Sequence, residues 1–173
     1  MRPARSGHEK FVGANSPPRY AYLPSFAETT PSENHLERAV AIDGLTTIKS
    51  SFGPKDTMDR LEAQVKARGM SVFARIDHAA GASSAGLTLR PTEVLIFGNP
   101  TGGTPLMQAA QTIGLDLPLK ALVWQDASGD SWLSYNDPVW LARRYGLAGE
   151  TETVAGKLSA ALAAVALAAT TSL

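Results

Sequence analysis

The chain has 173 residues, of which 44% are hydrophobic and 18% are charged, so it holds enough apolar material for one folded core. Its 16 basic residues balance 16 acidic ones, and this lack of basic excess argues against a nucleic-acid-binding protein. The absence of cysteine excludes disulfides, thiol catalysis and cysteine-ligated metals.

The N-terminal part, residues 1–43, is rich in proline and small polar residues and shows no apolar period. This composition predicts a disordered or loosely attached arm, although a translation start placed too far upstream would leave the same pattern. The first residues lack the apolar segment of a secretory signal, and a transit peptide stays open as an alternative. The apolar run Leu158–Ala168 is shorter than the ~20 residues of a membrane span. We therefore expect a cytoplasmic protein without membrane contact.

The sequence pattern in the first half of the folded region predicts two strands on either side of one helix. Leu45–Ser50 is a short strand with a polar face. A helix begins at Pro54 and ends at Gly69, because proline fits the first helical position and glycine the position after the last. Alternation of apolar residues predicts a strand over Met70–Asp77. His78–Thr92 has no clear period and predicts a loop with at most one short helical turn.

A second strand, turn and helix follow in the same order. The continuous apolar run Glu93–Phe97 predicts a central strand, and Gly98–Gly103 a turn after it. Thr104 is the predicted cap of a helix that starts at Pro105 and runs to Ile113.

The last part of the chain predicts a hairpin and two helices. Pro118–Asp126 and Ser131–Tyr135 are strands on either side of a tight turn. A helix capped by Asp137 then runs to Gly146, and the Ala-rich segment Thr151–Ala168 forms a helix with one apolar stripe.

Hairpin-connected strands after two helical crossovers exclude a doubly wound sheet. The sequence predicts an α+β fold, a two-layer sandwich with one twisted, mostly antiparallel sheet and helices on one face. We divide the chain into the arm 1–43, an α+β domain 44–147 and an Ala-rich C-terminal helix within 148–173.

The turn between the central strand and the next helix is the first candidate site. Free backbone amides at a helix N-terminus, with the positive end of the helix dipole, suit a phosphate or carboxylate. The turn has no phosphate-loop motif and no lysine, so a plain tight turn with a helix cap remains the alternative. The candidate residues are Asn99, Thr101, Gly102, Gly103 and Thr104.

His78 is the second candidate, because an imidazole exchanges protons near neutral pH. A triad with Asp77 and Ser83 or Ser84 is disfavoured, since neighbouring residues of a strand point to opposite faces. Haem ligation by His78 and a methionine is a further alternative, as is a structural or surface role. The methionines considered are Met58, Met70 and Met107.

Aromatic residues cluster around the predicted hairpin and form a third candidate. Lys120 and Trp124 share one face of their strand, and the other face holds Leu119, Ala121 and Val123. The aromatic face could bind a planar ligand, single-stranded nucleic acid or a second subunit, and the neutral charge argues against nucleic acid. The aromatic residues are Trp124, Trp132, Tyr135 and Trp140.

Several short motifs occur together between residues 44 and 147. They are Ile76-Asp77-His78, Pro91, Phe97-Gly98-Asn99-Pro100, Gly103-Thr104 with Leu106-Met107, Leu115-Asp116-Leu117-Pro118-Leu119, and Val123-Trp124 followed by Gly129 and Tyr135. This set resembles the domain-of-unknown-function 302 family. The resemblance implies a compact α+β domain and a homodimer, with no established activity and no catalytic residues to transfer. The arm and the Ala-rich helix lie outside the resemblance.

These observations lead to one main hypothesis, a dimeric domain that binds or senses a small anionic or planar ligand. Its site would lie near His78 and the turn Asn99–Thr104, with Lys120 and Trp124 nearby. An enzyme that uses His78 as general acid or base, assisted by Asp77, Asp116 or Lys120, is the alternative. A structural or partner-binding protein is the third class. The sequence identifies no cofactor and predicts no metal site.

Overall fold

The computed structural model describes residues 42–172, which form one sheet and five α-helices. The predicted arm lies outside the described residues except for Ile42 and Asp43. The strands are β1 (Leu45–Lys49), β2 (Ser71–Asp77), β3 (Thr92–Gly98), β4 (Leu119–Gln125) and β5 (Ser131–Asn136). The helices are α1 (Pro54–Ala67), α2 (His78–Ser84), α3 (Pro100–Ala109), α4 (Pro138–Arg144) and α5 (Glu150–Thr170), with a 3-10 turn at Gln111–Leu115.

The five strands lie in the order β1-β5-β4-β3-β2, and every neighbouring pair is antiparallel. Helix α1 carries the chain from one edge strand, β1, to the other, β2. The hairpin β4–β5 turns at Gly129, whose φ of +85° suits a residue without a side chain. The α+β class and the antiparallel sheet predicted from the sequence are confirmed.

The two faces of the sheet differ as the alternation predicts. On β4, Leu119, Ala121 and Val123 are buried against the helices, whereas Lys120 and Trp124 lie on the opposite side. We call that opposite side the open face. The buried face forms the main core with α1 and α5, and its strand residues are Leu95, Phe97, Leu119, Ala121, Val123, Leu133 and Tyr135.

Helix α5 belongs to two apolar clusters. Leu162 and Val165 pack in the main core, and Ala155 packs in a second cluster beyond the end of the sheet. The segment 148–173 therefore shares its core with residues 44–147. By length and composition α5 is also the one helix of residues 42–172 that could cross a membrane, with a mean hydropathy of 1.5. The second cluster is built from Leu106, Ile113, Ala142, Leu147 and Ala155.

Three predicted element boundaries were wrong, among them the end of α3, which lies at Ala109 rather than at Ile113. The segment after Asp77 forms a helix, α2, rather than a loop, because the Asp77 carboxylate accepts a hydrogen bond from the Ala80 amide at 2.8 Å and caps it. Helix α3 begins at Pro100 rather than at Pro105, because Asn99 rather than Thr104 caps it.

We expect Leu162→Ala to lower the free energy of unfolding by about 2–5 kcal/mol, since its side chain is 1% exposed in the main core. Leu167→Ala on the same helix is the matched control, because Leu167 is 57% exposed and its loss should change stability by less than ~0.5 kcal/mol. Urea unfolding of both variants measures the difference. Equal effects would show that α5 is not part of the core.

Candidate ligand-binding cleft

A cleft of about 230 Å3 lies where β3 ends and α3 begins. Five elements meet there, because β4 starts beside the end of β3, β2 starts on its other side, and α5 passes behind α3. Most of the lining is apolar, and none of its residues is charged. The apolar side chains are Met70, Phe73, Pro100, Met107, Leu117, Pro118, Leu119 and Leu158, and the remaining lining residues are Gly98, Asn99, Gly103 and Thr104.

Asn99 shapes the wall of the cleft by capping α3. Its side-chain Oδ1 accepts hydrogen bonds from the Thr101 amide at 3.0 Å and from the Thr101 hydroxyl at 2.8 Å. Its backbone carbonyl accepts from the amides of Gly102 and Gly103. The start of α3 is therefore held by one residue, which follows the strand directly.

The same bonds leave the predicted anion site without its donors. The amides of Thr101, Gly102 and Gly103 all donate to Asn99 instead of projecting free into solvent. The lining also lacks a cation, so the cleft itself offers no interaction that would offset the free-energy cost of removing an anion from water. An apolar ligand suits this lining better than the phosphate or carboxylate that the turn motif predicted.

The two glycines of the turn have different surroundings. A Cβ on Gly102 would lie 2.8 Å from Leu158 Cδ2, so its absence lets α3 approach α5 closely. A Cβ on Gly103 would lie 3.7 Å from Leu117 and 3.8 Å from Met107, which is ordinary contact distance inside the cleft. Gly102 serves helix packing, whereas Gly103 leaves space for an occupant.

His78 lies at the other end of the sheet. In the β2–β3 register Ser71 is opposite Gly98, whereas Asp77 is opposite Glu93. The six residue steps from Ser71 to Asp77 span ~20 Å of strand, so the cleft and His78 do not form one site. His78 is exposed at the start of α2, and the neighbouring Asp77 carboxylate is occupied by its capping bond.

Lys120 and Trp124 lie on the open face and do not line the cleft. The Trp124 indole donates to Ser134 Oγ at 2.9 Å and stacks on Trp132, with ring centroids 6.1 Å apart. A shallow groove of about 320 Å3 on this face is bordered by Lys120, Leu122, Trp124 and Ser134. The predicted candidate residues therefore fall into three separate places: the cleft, the open face and the start of α2.

Only two of the four clustered aromatic residues share the open face. Tyr135 is buried on the helix side of the sheet. Trp140 lies on α4, where its indole donates to Asp43 at 2.8 Å and its ring covers Gly44. Strand alternation separates Trp132 from Tyr135, which are three residues apart on β5, and Trp140 lies on the helix that follows.

The groups proposed for acid–base catalysis are also apart. Asp116 accepts a hydrogen bond from the Tyr145 hydroxyl at 2.7 Å, and this bond raises the pKa of Tyr145. Asp116 and Lys120 lie at the cleft end of the sheet, away from His78. Met58, considered as a haem ligand, is fully buried in the main core. Residues 42–172 contain no group of three His, Cys, Asp or Glu side chains that could hold a metal.

The strongest cluster of charges lies beside α1. Arg75 of β2 forms ion pairs with Asp59 at 2.7 Å, with Glu62 at 3.2 Å and with Glu93. Hydrogen bonds from Lys55 and Arg75 lower the pKa of Asp59, and hydrogen bonds from Lys66 and Arg75 lower the pKa of Glu62. This network connects α1 to the edge strand β2. None of its residues lines the cleft.

The model of the family described as "Domain of unknown function DUF302" matches residues 46–165. The chain belongs to this family. The match reaches well into α5, in agreement with the shared core. The crystal structure of an uncharacterised conserved DUF302 protein from Bacillus stearothermophilus superimposes with a TM-score of 0.67 at 22% identity, over 74% of this chain and 99% of that one. This likeness shows the shared fold.

Two curated relatives from Brucella are more similar in sequence. The chain is 56% identical over 104 residues to proteins named "Fluoride-specific ion channel FluC 1" from Brucella suis biovar 1 and Brucella abortus biovar 1. The matched segment covers 60% of this chain but only 41% and 38% of those proteins. The chain therefore spans about two fifths of the length of the curated relatives it matches.

Sequence reasoning missed most of the cleft lining. Met70 and Phe73 come from the start of β2, and Leu158 comes from α5, far away in sequence. Met70 was considered only as a haem ligand, and the other two looked like ordinary apolar residues. The Gly-rich turn was one local signal, and three of its residues, Asn99, Gly103 and Thr104, line the cleft.

Proposed function

We propose that this domain binds or senses a small molecule whose body is apolar, and that it does so in the cleft beside Asn99 and Gly103. The cleft carries the proposal, since ligand sites combine apolar walls with a few polar groups. No ionisable side chain lines it, which favours binding over acid–base catalysis. An apolar cavity of ~150 Å3 holds benzene, so about 230 Å3 admits a one- or two-ring compound.

We expect Gly103→Ala to weaken binding of the neutral probe 2-naphthylacetamide at least fivefold, because the added methyl group occupies part of the cleft. The helix should not lose stability, since alanine is a better helix former than glycine by about 1 kcal/mol. Isothermal titration calorimetry gives the affinity, and thermal melts confirm the fold.

Gly156→Ala is the matched control, because a Cβ there meets nothing within 4 Å. His78→Ala is a second control, placed at the far end of the sheet. Equal affinity of the Gly103 variant and both controls, or no binding by the unaltered chain, would contradict the proposed site.

We further propose that two copies associate weakly through their open faces. Support comes from the apolar centre of this face, formed by Val94, Ile96 and Leu122 beside the stacked Trp124 and Trp132. Strand spacing and rise give a face of roughly 20 Å by 20 Å. Two such faces would bury on the order of 800 Å2 in projection, which is below the usual size of a stable interface. The dimer should therefore form only as the protein concentration rises.

Sedimentation equilibrium over a range of concentrations should show a mass that rises toward twice that of the chain. Leu122→Glu should keep the mass at one chain, because it places a charge at the centre of the face. Leu115→Glu is the control, since Leu115 is 81% exposed and lies away from the sheet. A wild-type mass that stays at one chain, or that Leu122→Glu leaves unchanged in a folded variant, would refute this contact.

A second candidate function is an accessory role for a fluoride channel. The supporting observation is the 56% identity over 104 residues to Brucella proteins that are named fluoride-specific ion channels. In those proteins the similar segment is one part of a longer chain. A domain of this kind would act on, or respond to, the same ion pathway.

Deletion of the gene from its host should then lower the concentration of sodium fluoride that halves growth, and the intact gene should restore it. Sodium chloride at equal concentration controls for ionic strength. Unchanged fluoride tolerance in the deletion strain would remove this candidate and would leave the proposal of a ligand cleft untouched.

A further inference from the structure

An ammonium group lies at the border of the cleft. Lys120 Nζ donates hydrogen bonds to the carbonyls of Asp116 at 3.1 Å and Pro118 at 3.4 Å. Pro118 also lines the cleft. Pro118 is therefore shared by the two features: its carbonyl accepts from the ammonium group on the open face, and the same residue forms part of the cleft wall.

The positive charge of Lys120 has no carboxylate partner among residues 42–172. The ion pairs of this part of the chain involve Lys49, Lys55, Lys66 and Arg75. The Asp116 carboxylate is turned to the Tyr145 hydroxyl, and only its carbonyl accepts from Lys120. Carbonyls are neutral acceptors, so an anion at this position gains a charge-assisted hydrogen bond that the protein does not itself supply.

The cleft and the ammonium group require opposite properties of one ligand. The cavity has no charged lining and favours an apolar body, whereas Lys120 at its border favours one negative charge. A dianionic phosphate fits less well, because a single ammonium group is flanked by two carbonyl oxygens and lies near a carboxylate-bearing residue, Asp116.

We infer that the cleft binds an amphipathic monocarboxylate, such as an aryl-acetic acid, with its hydrocarbon part inside the cavity and its carboxylate at Lys120. This inference rests on the proposed function and adds the chemical class of the ligand. It also moves the anion position predicted from the turn Asn99–Thr104 to a residue on the adjacent strand. The helix amides keep their bonds to Asn99, and the carboxylate remains at the solvent edge.

The test compares 2-naphthylacetate with its neutral amide, 2-naphthylacetamide, by calorimetry on the full chain. The acid should bind about three- to tenfold more tightly, the range expected for a charge-assisted bond at a partly solvated site. Lys120→Met should abolish this difference and leave the amide affinity unchanged, and Lys120→Arg should restore most of it. The preference should also shrink as salt is added, because the ammonium group is exposed.

Lys157→Met is the matched control, since Lys157 is an exposed lysine on α5 that does not line the cleft. Equal binding of acid and amide to the unaltered chain would overturn the inference while the proposed function stands. An equal loss of affinity for the acid and for the amide in a folded Lys120→Met variant would overturn the inference as well. Tighter binding of 2-naphthyl phosphate than of the acid would overturn the monocarboxylate as the ligand class. No binding of any probe would overturn the proposed function as well as the inference.

Discussion

The structure depends on the packing of α5 against both apolar clusters. Its C-terminal half covers the sheet through Leu162 and Val165, and its N-terminal half holds α3 and α4 beyond the end of the sheet through Ala155. Arg60 of α1 donates three hydrogen bonds to carbonyls at the end of α5 and so fastens this helix to the core. The cleft exists because α5 keeps α3 at a set distance from the strand ends.

The capping of α3 decides what chemistry the cleft can offer. A helix that begins directly after a buried strand often presents free amides to an anion. Here Asn99 accepts from the Thr101, Gly102 and Gly103 amides, and this leaves an apolar surface in the same place. Asn99 and Thr104 are the polar side chains of the lining, and the charge of Lys120 lies outside it. The site is therefore better described by the uneven distribution of charge around it than by its glycine-rich turn.

The sequence predicted most of the fold because the relevant signals are local. Alternation on β4 separated Leu119 and Val123 from Lys120, and Asp137 caps α4 as expected by accepting from two backbone amides. The start of α3 was predicted five residues late, since Asn99-Pro100 and Thr104-Pro105 both look like a cap followed by a first-turn proline. Local rules do not rank two equivalent starts, and packing against Leu158 favours the earlier one.

The candidate site was harder to predict because it depends on which end of the sheet each strand reaches. His78 and Asn99 flank the same strand pair in sequence, yet antiparallel pairing places them at opposite ends of it. Any antiparallel pairing of β2 with β3 separates these two strand ends, so the predicted antiparallel sheet already argued against one site that combines His78 and Asn99. The lining of the cleft likewise combines residues from α5 and β2 that no motif connects.

The width of the cleft is coupled to the spacing of two helices. Leu158 lines the cleft and also touches Gly102 so closely that a methyl group on that glycine would displace it. An occupant that pushes Leu158 must therefore move either its side chain or α3 relative to α5. Because α5 continues into the main core, such a movement reaches the helix face of the sheet. A ligand shifts this arrangement only as far as it binds one spacing better than the other, and the proposed sensing role would depend on that difference.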